Sequence, residues 1–321
     1  MKLSKDDTAL YTRVAIFGLP GSGKSTLVAQ LAHTHRLTWI GIDNDKDVLL
    51  KLPESALENI NYIDIPDSAS FPVAAPTLLS LFKTGKGRVC NAHGMFNCAL
   101  CTKSKAAFSE IDFTKHTSRD ITVIDSGSQL GRSILAHVTK DDPVDYKPER
   151  DDWGSLRKFT EFFASQFQGF RGNLIVIFHA IEMEIKSGDK VVGVKYIPDF
   201  GSRGMALTIG RNFSHVIYME VKNKKHRAYS STTASNDCLT KSRTEFAIEA
   251  LPEPSLVPLF PIKESSGVEE TPPPSTTSTE VSTKQSTQES TKINNSPAQN
   301  AASGLSDLRA RLAAQSNAGK K

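Results

Sequence analysis

The stretch GLPGSGKST, residues 18–26, fits the phosphate cradle G-x-x-x-x-G-K-[ST], and its neighbours supply the setting that motif needs. RVAIFG (13–18) reads as a buried strand entering the loop, and Ser25–His33 reads as the helix leaving it. Gly18, Gly21 and Gly23 let backbone amides turn inward at the amino end of that helix, where the helix dipole favours anions. Lys24 is placed to reach the β- and γ-phosphates and Ser25 to ligate Mg²⁺, with Thr26 beside the α-phosphate. The cradle as a whole, including Pro20 and Ser22, is the expected nucleotide site.

Outward from the loop the chain alternates strand and helix as far as about residue 262. LTWIGID (37–43), INYIDI (60–65), ITVID (121–125), NLIVIFH (173–179) and HVIYMEV (215–221) are short runs rich in branched residues, as strands buried on both faces should be. A short helix is expected around residues 76–82. A longer one is expected after Asp152 as its cap, with Leu156, Phe159, Phe163, Phe167 and Phe170 along one side as core. This pattern predicts an α/β fold with a mostly parallel, doubly wound sheet whose ligands sit at the carboxyl ends of the strands.

Acidic and polar residues stand at those ends. Asp125 closes ITVID, where a second Mg²⁺ contact is needed beside the phosphate loop, a Walker B arrangement. Asp43 and Asp45 in GIDNDKD are near enough to activate water, although a helix cap or a solvated loop fits them equally. His179 closes NLIVIFH and can sense the γ-phosphate, or be only a strand-end residue.

Taken in order, the phosphate loop, the Asp-x-Asp strand, ITVIDSGSQL, DYKPERDDWGSLRKF, NLIVIFHA and CLTKSRTEF resemble the RecA-like P-loop ATPases over about residues 12–250. More closely, they resemble the phage-encoded nucleotide-binding proteins that act as single-strand annealing or recombination ATPases. The resemblance implies ATP and Mg²⁺ as ligands, Asp45 at the catalytic glutamate position and His179 at the polar sensor position. It also implies a basic pair, Lys241 and Arg243, that reaches a neighbouring subunit's nucleotide, and hence a homo-oligomer.

CNAHGMFNCALC places Cys90, His93, Cys98 and Cys101 at C-x2-H-x4-C-x2-C spacing, two close pairs able to close a tetrahedron around a structural Zn²⁺. The expected insertion, about residues 84–105, is flanked by Lys83, Lys86, Arg88, Lys103 and Lys105. Lys222, Lys224, Lys225, His226 and Arg227 form a second basic run suited to phosphate contacts without sequence readout. Lys186, Lys190 and Arg203 fall in a segment, 180–205, read as a loop able to touch single-stranded DNA. The segment 139–152 is a second such loop, but it is mostly acidic, which weakens its case.

Bulk composition adds limits. An apolar fraction of 38% is low for a compact globule, so part of the chain is not core. Residues 263–302, rich in Ser, Thr, Pro and Gln, read as a disordered linker. Residues 303–321 hold Leu305, Leu308 and Leu312 at helical spacing, for a partner-docking helix or a frayed tail. The net charge of +4 is compatible with a polyanionic partner but does not require one. Four cysteines, three of them clustered, suit a reducing cytoplasm, the host's if the chain is phage-encoded, and no apolar run is long enough to span a bilayer. The competing functions are a small-molecule or nucleotide kinase, and a nucleotide-gated adaptor with little turnover.

Overall fold

The computed structural model describes residues 11–43, 46–139, 147–230, 240–242 and 254–262. From the amino end come β1 (Arg13–Gly18), α1 (Lys24–Ala29), β2 (Arg36–Gly41), α2 (Glu54–Leu57), β3 (Ile60–Asp64) and α3 (Ala74–Thr84). The insertion then supplies β4 (Lys86–Cys90), α4 (Ala99–Lys103) and β5 (Phe108–Asp112). The chain returns with β6 (Asp120–Asp125), α5 (Gly127–Thr139), α6 (Arg150–Gly169), β7 (Asn173–Ser187), β8 (Lys190–Pro198), α7 (Arg203–Thr208), β9 (His215–Lys222) and β10 (Lys225–Tyr229).

The main sheet runs β10-β9-β1-β7-β6-β2-β3, with every pair from β9 to β3 parallel and β10 antiparallel at the edge. Alternation along β1 explains the two layers. Val14 and Ile16 pack with Leu27, Val28 and Leu31, while Ala15 and Phe17 join the core that includes Leu130 and Ile134 of α5 and Phe163 and Phe167 of α6. The aromatic stripe of α6 is core, as expected: Phe167 is fully buried between Phe82, Phe163, Phe200 and Phe213.

Register levels the strand ends that carry chemistry. Gly18 lies beside His179 on β7, Asp125 lies beside Ile177 of β7 and Gly41 of β2, and β7 is the strand between the phosphate-loop strand and β6.

Two expectations are corrected. The segment 180–205 is not a loop at its start: β7 continues past His179 and pairs antiparallel with β8, from Ala180 opposite Pro198 to Ser187 opposite Lys190. Its alternating, branched sequence favours strand, and Gly188, at φ 61°, makes the reversal. Asp152 is also not the cap of α6. Glu149 is the cap, and Asp152 sits one turn in, accepting from the Glu149 amide at 2.8 Å as the second half of a capping box.

The described residues all fall within one compact unit, Met1–Ser266. The expected linker and terminal helix lie outside the described residues, as do Asp45 and Arg243. Among the described residues no helix is long and apolar enough to cross a membrane.

Candidate nucleotide-binding site

The loop between β1 and α1 has the backbone that its glycines permit. Gly23, at φ 89°, occupies the left-handed region at the start of α1, and a Cβ there would sit 2.8 Å from the His226 ring. The Lys24 ammonium lies on the loop itself, donating to the carbonyls of Gly18 and Leu19, each at 3.0 Å. Burial lowers its pKa, against the opposing pull of the Asp125 and Asp43 carboxylates. Ser25 Oγ donates to Asp125 Oδ2 at 2.9 Å, so the two groups expected at Mg²⁺ are already neighbours. These residues border a cavity of 720 Å³ that also reaches Asp43, Asp67, Gln129, Arg132, His179 and His226.

The far wall is an acid–histidine pair. His179 Nε2 lies 3.3 Å from Asp43 Oδ2. Burial opposes ionisation of Asp43, but hydrogen bonds from His179 and Ser126 and the charge of Arg132 outweigh it, so its pKa falls below the ordinary carboxylate value. The His179 amide donates to Ser128 Oγ, which donates to the Asp199 carbonyl. Strand end, α5 and the start of the β8–α7 connection are thus bound together around His179. The carboxyl end of β2 is pinned by Ile42 N, which donates to the Asp125 carbonyl at 2.6 Å.

The cradle, Asp125 and His179 meet at one cavity, the arrangement of a P-loop nucleotide site, and the sequence agrees: residues 10–244 match the family model described as AAA domain. The chain belongs to the AAA domain family. Among solved structures, the crystal structure of the RadB recombinase is similar at 14% identity with a TM-score of 0.35, covering 68% of this chain and 81% of that one. No curated protein matches the sequence.

In this AAA domain the phosphate loop, Asp125 and His179 come together at one cavity, and His226, Asp67, Gln129 and Arg132 join them without having been anticipated there. His226, grouped in the sequence with the basic run, instead faces the loop, its Nδ1 3.0 Å from the Ser22 carbonyl. Asp67 and Gln129 complete the cavity wall, with Gln129 Nε2 donating to Asp67 Oδ2 at 3.2 Å. Asp67 stands just past the end of β3, so the strand-end rule that selected Asp125 and His179 would have found it.

The four expected metal ligands of the AAA domain also converge. His93 Nδ1 is 3.2 Å from Cys101 Sγ and 3.8 Å from the sulfurs of Cys90 and Cys98, and all four donor atoms lie within 4.8 Å of one another. Tetrahedral Zn²⁺ with Zn–S bonds of about 2.3 Å and a Zn–N bond of about 2.0–2.1 Å spaces a histidine nitrogen from each sulfur by roughly 3.6 Å, so the cluster fits that ion. It sits between β4 and β5, whose pairing extends the insertion beyond the expected 84–105 to Asp112. The flanking cations are partly engaged: Arg88 stacks on Phe108 and donates to Thr102, and Lys83 lies over Phe162.

The candidate DNA residues fall on two hairpins. Lys222, Lys224, Lys225 and Arg227 are exposed on β9–β10, whose turn residues Asn223 and Lys224 both have positive φ. Lys186, paired with Glu184 at 3.2 Å, and Lys190 are at the tip of β7–β8, and Arg203 opens α7. Lys241 is elsewhere. Its backbone pairs with Val216 at the amino end of β9 and its ammonium donates to the Phe213 carbonyl at 2.8 Å, at the sheet end opposite its own phosphate loop.

Proposed function

We propose that the protein is an Mg²⁺-dependent, RecA-like ATPase that works as an oligomer on single-stranded DNA, in phage recombination, annealing or repair. The observation that carries this reading is the pairing, across one cavity, of Ser25–Asp125 on the loop side with Asp43–His179 opposite. Mg²⁺, when bound with ATP, neutralises charge on the β- and γ-phosphates, and Ser25 and Asp125 are the residues that would hold it. Lys24 would exchange its loop carbonyls for phosphate oxygens. Asp43, kept ionised by its partners, is suited to hold an attacking water, a task that the family resemblance gives to Asp45.

Transfer to a small acceptor has less support. A kinase lid brings several arginines to the transferred phosphoryl group, whereas among the described residues Arg132 is the one arginine on the cavity wall. Arg119 is at the other end of the sheet, its carbonyl bound to the Arg36 amide at the start of β2. The β9–β10 cations adjoin His226 at the cavity, and the β7–β8 arm leads from His179 out to Lys186 and Lys190 at its far tip, which supports a link between DNA contact and the nucleotide.

Phosphate release measured with and without a single-stranded oligonucleotide, beside transfer to a panel of nucleosides, tests the proposal. Release that rises with DNA supports it. Transfer without DNA stimulation points to the kinase, and nucleotide binding with negligible turnover points to the adaptor.

A further inference from the structure

The metal cluster and the nucleotide cavity are joined by one short segment. Gly94, next to the ligand His93, has φ 63°, and a Cβ there would lie 2.7 Å from Ile65 Cα and 2.8 Å from Pro66 Cδ. The end of the turn that carries the first ligand pair, just past His93, therefore lies directly on the backbone that leads into Asp67. Thr77 of α3 fastens it. Its buried hydroxyl donates to the Gly94 carbonyl at 2.9 Å and accepts from the Phe96 amide at 3.2 Å.

Asp67 spends its carboxylate on the same assembly. Oδ1 accepts from Ala74 N at 2.8 Å, at the start of α3, and from Ser133 Oγ of α5 at 2.7 Å. Oδ2 accepts from Gln129 Nε2 at the cavity wall. Burial raises the Asp67 pKa in spite of these donors, as a desolvated carboxylate held in place would show. Gln129 is in turn fixed at its amide by Ser126 Oγ, next to Asp125. The path from metal to cavity is thus Gly94, Ile65–Pro66, Asp67 and Gln129, every step a contact or a hydrogen bond.

We propose that Asp67 is a positioning residue of the nucleotide site and that zinc in the Cys90, His93, Cys98 and Cys101 cluster sets its place, so that metal occupancy regulates the cavity. This rests on reading the cavity as an ATP site and the cluster as a zinc site. Zinc closes the Cys90–Gly94 turn, and the closed turn supports residues 65–67 from outside. Without it, Asp67 loses its backing and Gln129 its anchor. Coupling between two sites is reciprocal, so bound nucleotide must tighten zinc by the factor that zinc tightens nucleotide.

The test uses the full chain, zinc-loaded, zinc-stripped with chelator and zinc-restored, with Thr77→Val and Asp67→Asn beside it. Hydrogen exchange at residues 65–75 and 127–133 is expected to quicken by at least about five-fold on stripping, at the low end of typical coupling, and to recover with zinc. Thr77→Val should quicken the same segments with one equivalent of zinc still bound. A fluorescent ATP analogue should bind more weakly to stripped protein and to Asp67→Asn, and ADP should tighten zinc in competition with a chromophoric chelator. Loosening confined to residues 86–112, with 65–75 and 127–133 unchanged, overturns the coupling, as does purified protein without zinc. Zinc-loaded wild-type protein that binds no nucleotide sinks the ATPase reading instead, because the exchange measurement decides the coupling without nucleotide.

Discussion

Ser25 Oγ and Asp125 Oδ2 are 2.9 Å apart although the residues are a hundred positions apart in sequence and belong to α1 and β6. The contact exists because β7 holds β1 and β6 in register, so that both strands end at one level. A hydroxyl and a carboxylate at this spacing are suited to share an Mg²⁺ shell, which is the role the proposed ATPase gives them. Ser25→Ala and Asp125→Asn are each expected to lower phosphate release by about 10² or more, the usual loss when a transition-state charge contact is removed. A magnesium titration of turnover checks this: the variants should need far more Mg²⁺ for any activity, and an unchanged midpoint would remove both residues from the metal site.

Lys24 offers a sharper separation of function from stability. Burial lowers its pKa, so in the window between the folded and ordinary lysine values the unfolded chain binds more protons than the native one, and stability rises with pH there. At neutral pH the buried ammonium therefore costs stability. Lys24→Met is expected to abolish turnover while its thermal midpoint at neutral pH stays at or above that of wild type. Residual turnover close to wild type would reject the assignment.

Asp43 has the opposite linkage. Its pKa is depressed when folded, so its contribution is present above the ordinary carboxylate value and is lost as pH falls through the folded value. Denaturant melts of wild type and Asp43→Asn should differ by a constant amount at neutral pH and converge in acid. A gap that widens in acid contradicts the His179 and Ser126 interactions.

Much of this was legible because each chemical residue ends an apolar run. Gly18, Asp125 and His179 close RVAIFG, ITVID and NLIVIFH, and a buried parallel strand has few other ways to be written. Cys90, His93, Cys98 and Cys101 were legible by spacing, since four ligands within a dozen residues need only local turns. The arm formed by β7 and β8 was not, because Glu182, Glu184 and Lys186 interrupt the apolar pattern: once the strand leaves the sheet it has no second buried face to fill. His226 was hidden for a related reason. Its neighbours in sequence are all solvated cations, and only the antiparallel pairing of β10 with β9 directs the ring to the phosphate loop.

Phe167 tests whether the aromatic stripe is structural. It is fully buried and touches rings from α3, α6, the β8–α7 connection and the turn before β9. Phe167→Ala is expected to cost about 3–5 kcal/mol of folding stability, read from urea melts, by removing its contacts and leaving a cavity. A loss below about 1 kcal/mol would contradict its place in the core.

The hairpin of β9 and β10 supplies the last prediction. Lys222, Lys224, Lys225 and Arg227 are exposed, and His226 between them, also exposed, turns its Nδ1 to the Ser22 carbonyl of the loop, so the hairpin carries cations and one ring against the phosphate loop. Exposed lysines that meet DNA phosphates release counterions, and each lost contact lowers the salt slope of binding by roughly one. Replacing Lys222, Lys224 and Lys225 by Gln should therefore weaken binding to single-stranded oligonucleotides of any sequence by similar factors and flatten log K against log salt. His226→Ala should leave that slope intact, because the ring contributes no phosphate contact to the patch, and should reduce the stimulation of phosphate release by DNA. A slope reduced equally by both changes would place His226 with the DNA contacts, and a slope unmoved by the triple change would exclude this hairpin as the DNA surface.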